Sequence, residues 1–221
     1  MIRELKAISR ARDFPIYNKG VWRLDAVFAS TSPAHWMDIA RADAAVDAVR
    51  DLYRSVENYQ GLWIAGGTLG GLPYEKSQRK GIVDRFMERG VEEDRIVQID
   101  GKDTVDKVRE LMKIPEITED KSVEYLGIAS YPLHIARFNL VLKYAQRKGY
   151  LEGLKIIGIP TDNRNRPETD KANRPVGDFV AGWAGLLKDA RRLERYGFEA
   201  SIPGQNSKLY RRIRSLNSED R

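Results

Sequence analysis

The sequence predicts a doubly wound α/β sheet, mainly parallel, of five or more strands with helices on both faces: a Rossmann-like architecture. Two observations carry this. Five short apolar runs recur along the chain, and one stretch of helical spacing separates each from the next. Within the runs the apolar residues are consecutive rather than alternating, as expected of strands covered on both faces by crossover helices. Strand and helix taking turns in this way favour parallel pairing.

The first run, "LDAVFAST" (24–31), precedes a helical stretch over about 38–58. "GLWIAGG" (61–67) and a helix over 74–89 follow, then "DRIVQID" (94–100) and a helix over 103–113. "VEYLGIAS" (123–130), a helix over 132–148 and "LKIIGIPT" (154–161) complete the series. In "MERGVEEDRIV" and "AQRKGYLEGLKII" a glycine stands between helix and strand, the usual carboxyl-end stop. Residues 162–177 are polar and proline-containing, so they read as a loop. A last helix over about 178–196 would bury Phe179, Trp183, Leu186, Leu187 and Leu193.

At 221 residues and 42% hydrophobic, the chain can bury one substantial core, and we read it as a single domain over 1–221. The core spans about 24–200, with an N-terminal extension (1–23) and a C-terminal tail (201–221). Cysteine is absent, which excludes a disulfide framework and thiol chemistry. The first residues carry no apolar core of signal-peptide length, and no run of about 18 apolar residues occurs. A cytoplasmic chain without a membrane span is expected. The net charge of +6 gathers largely in the terminal runs "KDARRLERYG" and "KLYRRIRSL". With no helix-turn-helix, paired-cysteine finger or aromatic-basic strand, these runs read as solvated faces or phosphate attraction rather than a nucleic-acid surface.

In doubly wound sheets the ligand crevice lies beyond the carboxyl ends of the strands. This sequence sets there "STSPAHWMD", with three hydroxyls including Ser30 and with His35; "AGGTLGG", with Gly66, Gly67 and Thr68; "DGKDTVDK"; "SYPLHIAR"; and "TDNRNRP". Glycines after a strand let backbone amides approach an anion, though a tight turn needs them equally. Glu75 and Asp103 stand near helix starts, where capping alone accounts for them, and Asp106 is a shortened capping-box acid. His134 and Arg137 are three apart at the start of a helix, a cationic pair at a positive helix end, which an anion would stabilise.

Taken in order, "AGG" (65–67), "YEK" (74–76), "GVEEDRI" (90–96), "DTVDK" (103–107) and "ASYPLHIAR" (129–137) resemble the YdcF/SanA/ElyC-like family, domain of unknown function 218. That family has a strand ending Ser-Gly-Gly, a helix opening Ser-Glu-Ala, an Asn-Thr-x-Glu-Asn helix start and a strand ending Thr-Ser-x-x-His-x-x-Arg. The resemblance covers roughly 24–200. This chain departs from it in "FASTSPAHW", where the family has a glycine-bearing loop, and in "DTVDK", which replaces both asparagines and shortens the acid.

The resemblance implies catalytic roles for Glu75, His134 and Arg137. It implies ligand contacts from Gly66, Gly67, Thr68, Asp103, Thr104, Ser130, Ser30 and Arg41, the last as the family's arginine early in the first long helix. Family members resemble nucleotide-type binders, S-adenosylmethionine binders among them, and others are linked to envelope polysaccharide and lipid-carrier metabolism. An anionic, phosphorylated or nucleotide-like small molecule is therefore the expected partner, with an S-adenosylmethionine-type cofactor as one form of it. Two functions fit. In an enzyme, Arg137 would neutralise phosphate while Glu75 and His134 exchange protons. In a sensor, the same groups would bind without chemistry. Glu75, Asp103 and His134 lack the spacing of a metal set, and no metal is assigned. Replacing Arg137 is expected to weaken the ligand and spare the fold.

Overall fold

The structure is a computed structural model that describes residues 15–17, 20, 23–31, 35–67, 73–101, 103–161, 184–191 and 193. Five strands form one parallel sheet: β1 (Ala26–Ser30), β2 (Leu62–Gly66), β3 (Ile96–Ile99), β4 (Tyr125–Ser130) and β5 (Lys155–Pro160). Their order is β3-β2-β1-β4-β5. Between them run the helices α1 (His35–Tyr53), α2 (Pro73–Glu88), α3 (Thr104–Leu111), the single turn α4 (Pro115–Thr118) and α5 (Pro132–Arg147). Residues 184–191 are helical as well.

Burial explains why consecutive apolar residues were needed. Every residue of the central strand β1 is buried, and its side chains divide between two cores. Ala26 and Phe28 join α3, α4, α5 and Leu186, Ala190 and Leu193 on one face. Val27 and Ala29 join α1, α2, Tyr59 and Trp63 on the other. Both cores are knit by aromatic edges: Phe28 against Phe138 at 5.3 Å, and Trp63 against Tyr59 and Phe86 at 5.2 Å each. Edge strands are less apolar, as Gln98 of β3 is exposed. The other edge is covered in part, since Gly158 of β5 donates to Pro15 O at 2.8 Å and accepts from Tyr17 N at 2.6 Å.

Element ends follow local chemistry. α1 starts three residues before the expected Met37–Asp38 boundary and stops at Tyr53, five short of the expected end. Arg54 takes a left-handed conformation there (φ 68°), and the Asn58 side chain donates to the orphaned Tyr53 carbonyl at 3.1 Å. Gly90 and Gly149 occupy the same region after α2 and α5, as their positions in the sequence predict. α4 escaped sequence reading because one turn has no periodicity; Pro115 opens it and Thr118 Oγ1 bonds back to Ile114 O at 3.1 Å. Of the last expected helix, residues 184–191 and 193 are helical, with Leu186 and Leu193 buried and Leu187 half-buried. Phe179 and Trp183 lie outside the described residues. Among the described residues no helix is long and apolar enough to cross a membrane.

The order of strands positions the site. β1 and β4 are neighbours, yet α1, which follows β1, packs on one face, and α5, which follows β4, packs on the other. The helices that follow these two neighbouring strands therefore lie on opposite faces of the sheet, the arrangement that marks a switch point in doubly wound sheets.

Candidate functional site

Strand register brings the expected residues to one edge. Ser30 stands opposite Gly66, Gly66 opposite Ile99, and Ser130 opposite Pro160, so the last residues of the strands form a row. The ladder continues one residue further: Thr31 N donates to Gly66 O (2.9 Å), Gly67 N to Ile99 O (3.0 Å) and Thr161 N to Ser130 O (3.1 Å). Thr31 Oγ1 also donates to the Gly67 carbonyl.

Basic side chains from three helices converge on this row. Arg41 of α1 reaches the end of β1, where Nη1 donates to Ser30 O at 2.5 Å and to Ser30 Oγ at 3.2 Å. Its guanidinium carbon lies 5.9 Å from the Tyr131 ring centre, within cation–π range. Burial lowers its pKa to about 10, although Asp38 and Tyr131 oppose that shift. Lys107 of α3 donates from Nζ to Thr31 O at 3.2 Å. Its stem runs between two glycines: a Cβ on Gly67 would collide with the stem, and one on Gly101 would come within 2.8 Å of Cγ. Gly67 (φ 101°) and Gly101 (φ 143°) also hold backbone conformations that favour glycine.

His134, in the first turn of α5, has Nδ1 2.7 Å from Ser130 Oγ and packs edge-on to Phe138 at 5.0 Å. Its pKa is pushed well below the ordinary imidazole range, first by burial and then by Arg41, Arg137 and Lys107. The ring is neutral at physiological pH, and where Ser130 Oγ–H donates to Nδ1 the ring proton stands on Nε2. The Lys107 amine is lowered to about 7, by burial and then by Arg41 and Arg137, against the weaker pull of Asp38 and Asp103. Each of these groups thus lies in the field of the others.

Arg137 is differently engaged. Its Nε donates to Asp189 Oδ2 at 2.9 Å, and the carboxylate is almost fully buried. Gly185 makes the approach possible, because a Cβ there would come within 2.7 Å of Arg137 Nη1. Among the described residues, Arg41 and Lys107 form no ion pair, whereas Arg137 holds the C-terminal helical segment to α5.

One expected residue keeps the plainer role that capping assigned it. Asp103 accepts from Val105 N (2.9 Å) and Asp106 N (3.0 Å) as the N-cap of α3. Asp106 pairs with Arg109 at 3.3 Å. Glu75 falls in the first turn of α2, but its side chain lies outside the described residues, as do Thr68 and the side chain of His35. Thr104 opens α3 with its hydroxyl oxygen buried and without a hydrogen-bond partner. Among the described residues no three His, Asp or Glu side chains gather into a set that could hold a metal ion.

Lys107, Asp189 and Asp38 were missed by sequence reasoning, and for Lys107 a signal existed. Thr104, Lys107, Val108 and Leu111 recur at helical spacing and share the buried face of α3, so a lysine stands where packing alone calls for an apolar residue. Asp189 gave no comparable signal, since its partner is 52 residues away. No protein-family model and no curated protein matches this chain.

Proposed function

We propose that the carboxyl edge between β1 and β4 binds an anionic small molecule, phosphorylated or nucleotide-like, with S-adenosylmethionine-type ligands in the same class. The carrying observation is that Arg41, Lys107, His134 and Arg137 converge there from three helices, with Arg41 and Lys107 buried and lacking an ion pair among the described residues. Asp38 and Asp103 offset the charge of these buried cations only in part, and a bound anion offsets more of the cost of burying them. The resemblance to the YdcF/SanA/ElyC-like family supports the same ligand class and remains part of this proposal.

In an enzymatic version, neutral His134 accepts a proton at Nε2 in the tautomer whose Nδ1–H donates to Ser130 Oγ, while Arg41 and Lys107 hold the anion. Glu75 is the expected second proton carrier, and Arg137 sets the position of the C-terminal helical segment beside the site. A non-catalytic sensor is the second form of the proposal. In its favour, Ser130, the hydroxyl nearest His134, is fully buried.

The test is calorimetric titration of the protein with adenosine and uridine diphosphates, pyrophosphate and S-adenosylmethionine, followed by analysis of the recovered ligand. Binding of at least one of them at sub-millimolar concentration is expected. Turnover identifies the enzyme, recovery of unchanged ligand the sensor, and no binding by any of the four sinks the proposal.

A further inference from the structure

We propose that Lys107, with Arg41 and the Thr104 hydroxyl, forms an inner oxyanion pocket beside the turn at Gly67, which takes a phosphoryl group or free phosphate. This rests on the ligand class proposed above and names the part of the ligand held deepest.

The amphipathic helix α3 turns Lys107 inward with Val108 and Leu111, and the residue is 2% exposed. A lysine stem commonly lies along apolar surface while its ammonium reaches water. Here the ammonium end is buried as well, and it donates to the Thr31 carbonyl. An ammonium has three donors, so two remain without an acceptor among the described residues. Arg41, 4% exposed, spends Nη1 on Ser30, while its Nε is buried with no hydrogen-bond partner. Thr104, 2% exposed, lies one turn before Lys107 and its Oγ1 is likewise unpartnered.

The two cations dock on the carbonyls of consecutive residues, Ser30 and Thr31, at the end of one strand. They are therefore neighbours, and each is felt electrostatically at His134. The charges facing Nζ are Arg41 and Asp38 from α1, Arg137 from α5 and Asp103 at the start of α3; the two arginines outweigh the two carboxylates. A tetrahedral oxyanion has enough lone pairs for every open donor, and its charge compensates both cations. Gly67 and Gly101 keep side-chain bulk away from the lysine stem.

The experiment compares wild type, Lys107→Met and Thr104→Val. Each is titrated with inorganic phosphate, pyrophosphate and adenosine diphosphate at about pH 6, where the amine is largely protonated, with acetate as a control anion. Thermal melts are recorded alongside. Wild type is expected to bind phosphate and pyrophosphate but not acetate. Lys107→Met should lose at least about 10-fold in affinity, and Thr104→Val about 3- to 10-fold. Neither should melt lower, because each variant removes a buried polar group lacking its full set of partners. Loss for phosphate and the nucleotide together supports a phosphoryl-end pocket, and loss for phosphate alone supports a free-phosphate pocket. Unchanged affinities in both variants, with wild type still binding nucleotide, overturn the pocket and leave the ligand class standing. A lower melt of Lys107→Met with unchanged affinity makes the lysine a structural tether to Thr31 and also overturns it. Failure of wild type to bind any probe overturns both. Thr104→Val, a change of one atom type, carries the test if Lys107→Met does not fold.

Discussion

Lys107 holds an amine away from water on the apolar face of a helix, and its protonation is therefore linked to folding. Burial lowers the pKa from 10.5 in the ordinary side chain to about 7. Between these values the unfolded chain binds more protons than the folded one, so this group makes stability rise with pH across the window. Below it both states carry the proton, and the full penalty of burying the charge persists. Urea unfolding of wild type and Lys107→Met from about pH 6 to pH 10 isolates the effect, since other titrations cancel in the difference. Wild type should gain on the variant as pH rises, with a slope approaching about 1.4 kcal/mol per pH unit. A difference independent of pH would mean that the amine is solvated. His134 contributes stability of the same sign at lower pH, because its neutral ring is favoured in the folded state.

At the scale of elements, the ion pair between Arg137 and Asp189 ties α5 to the C-terminal helical segment. On sequence alone, Arg137 reads as a site residue whose loss spares the fold. The structure gives it a second task. Arg137→Ala would strand a buried carboxylate whose pKa burial already raises, and the expected cost is about 3 kcal/mol at neutral pH. The loss should shrink between neutral and acidic pH, because protonation of Asp189 removes the unpaired charge. Denaturant midpoints at the two pH values check this, and Arg137→Lys should restore only part of the stability, since the Nε contact is specific to arginine. An Arg137→Ala protein as stable as wild type at both pH values would show that the pair contributes nothing. Ligand affinity measured on that variant is interpretable only at temperatures where it remains folded.

Over the whole molecule, the central position of β1 links the two cores. Phe28 belongs to one core and its neighbours Val27 and Ala29 to the other, so loosening either side exposes the same strand. Phe28→Ala would delete the ring that packs on Phe138 and leave a cavity under α5. A loss of about 3 to 5 kcal/mol is expected. Far-UV circular dichroism and tryptophan fluorescence should follow the same urea transition, because the single-domain reading predicts cooperative unfolding. Separate transitions for the two probes would show that the faces of the sheet unfold independently.

Hydrophobic spacing by itself determined the strand and helix series, since strands buried on both faces and amphipathic helices each need a local pattern that one stretch of chain displays in full. The glycine stops at Gly90 and Gly149 and the cap at Asp103 were legible for the same reason: their causes lie within a few residues. The sequence also marked His134, Arg137, Gly67 and Thr104, but as residues without partners. Strand order was decided only in three dimensions, as was the meeting of Arg41 with Ser30, Lys107 with Thr31 and Arg137 with Asp189. Those contacts join residues 11, 76 and 52 positions apart, and two of them depend on a glycine leaving room. The charge on Lys107 was visible along the chain, but its burial was not, because dielectric environment belongs to the packed fold and to no single segment.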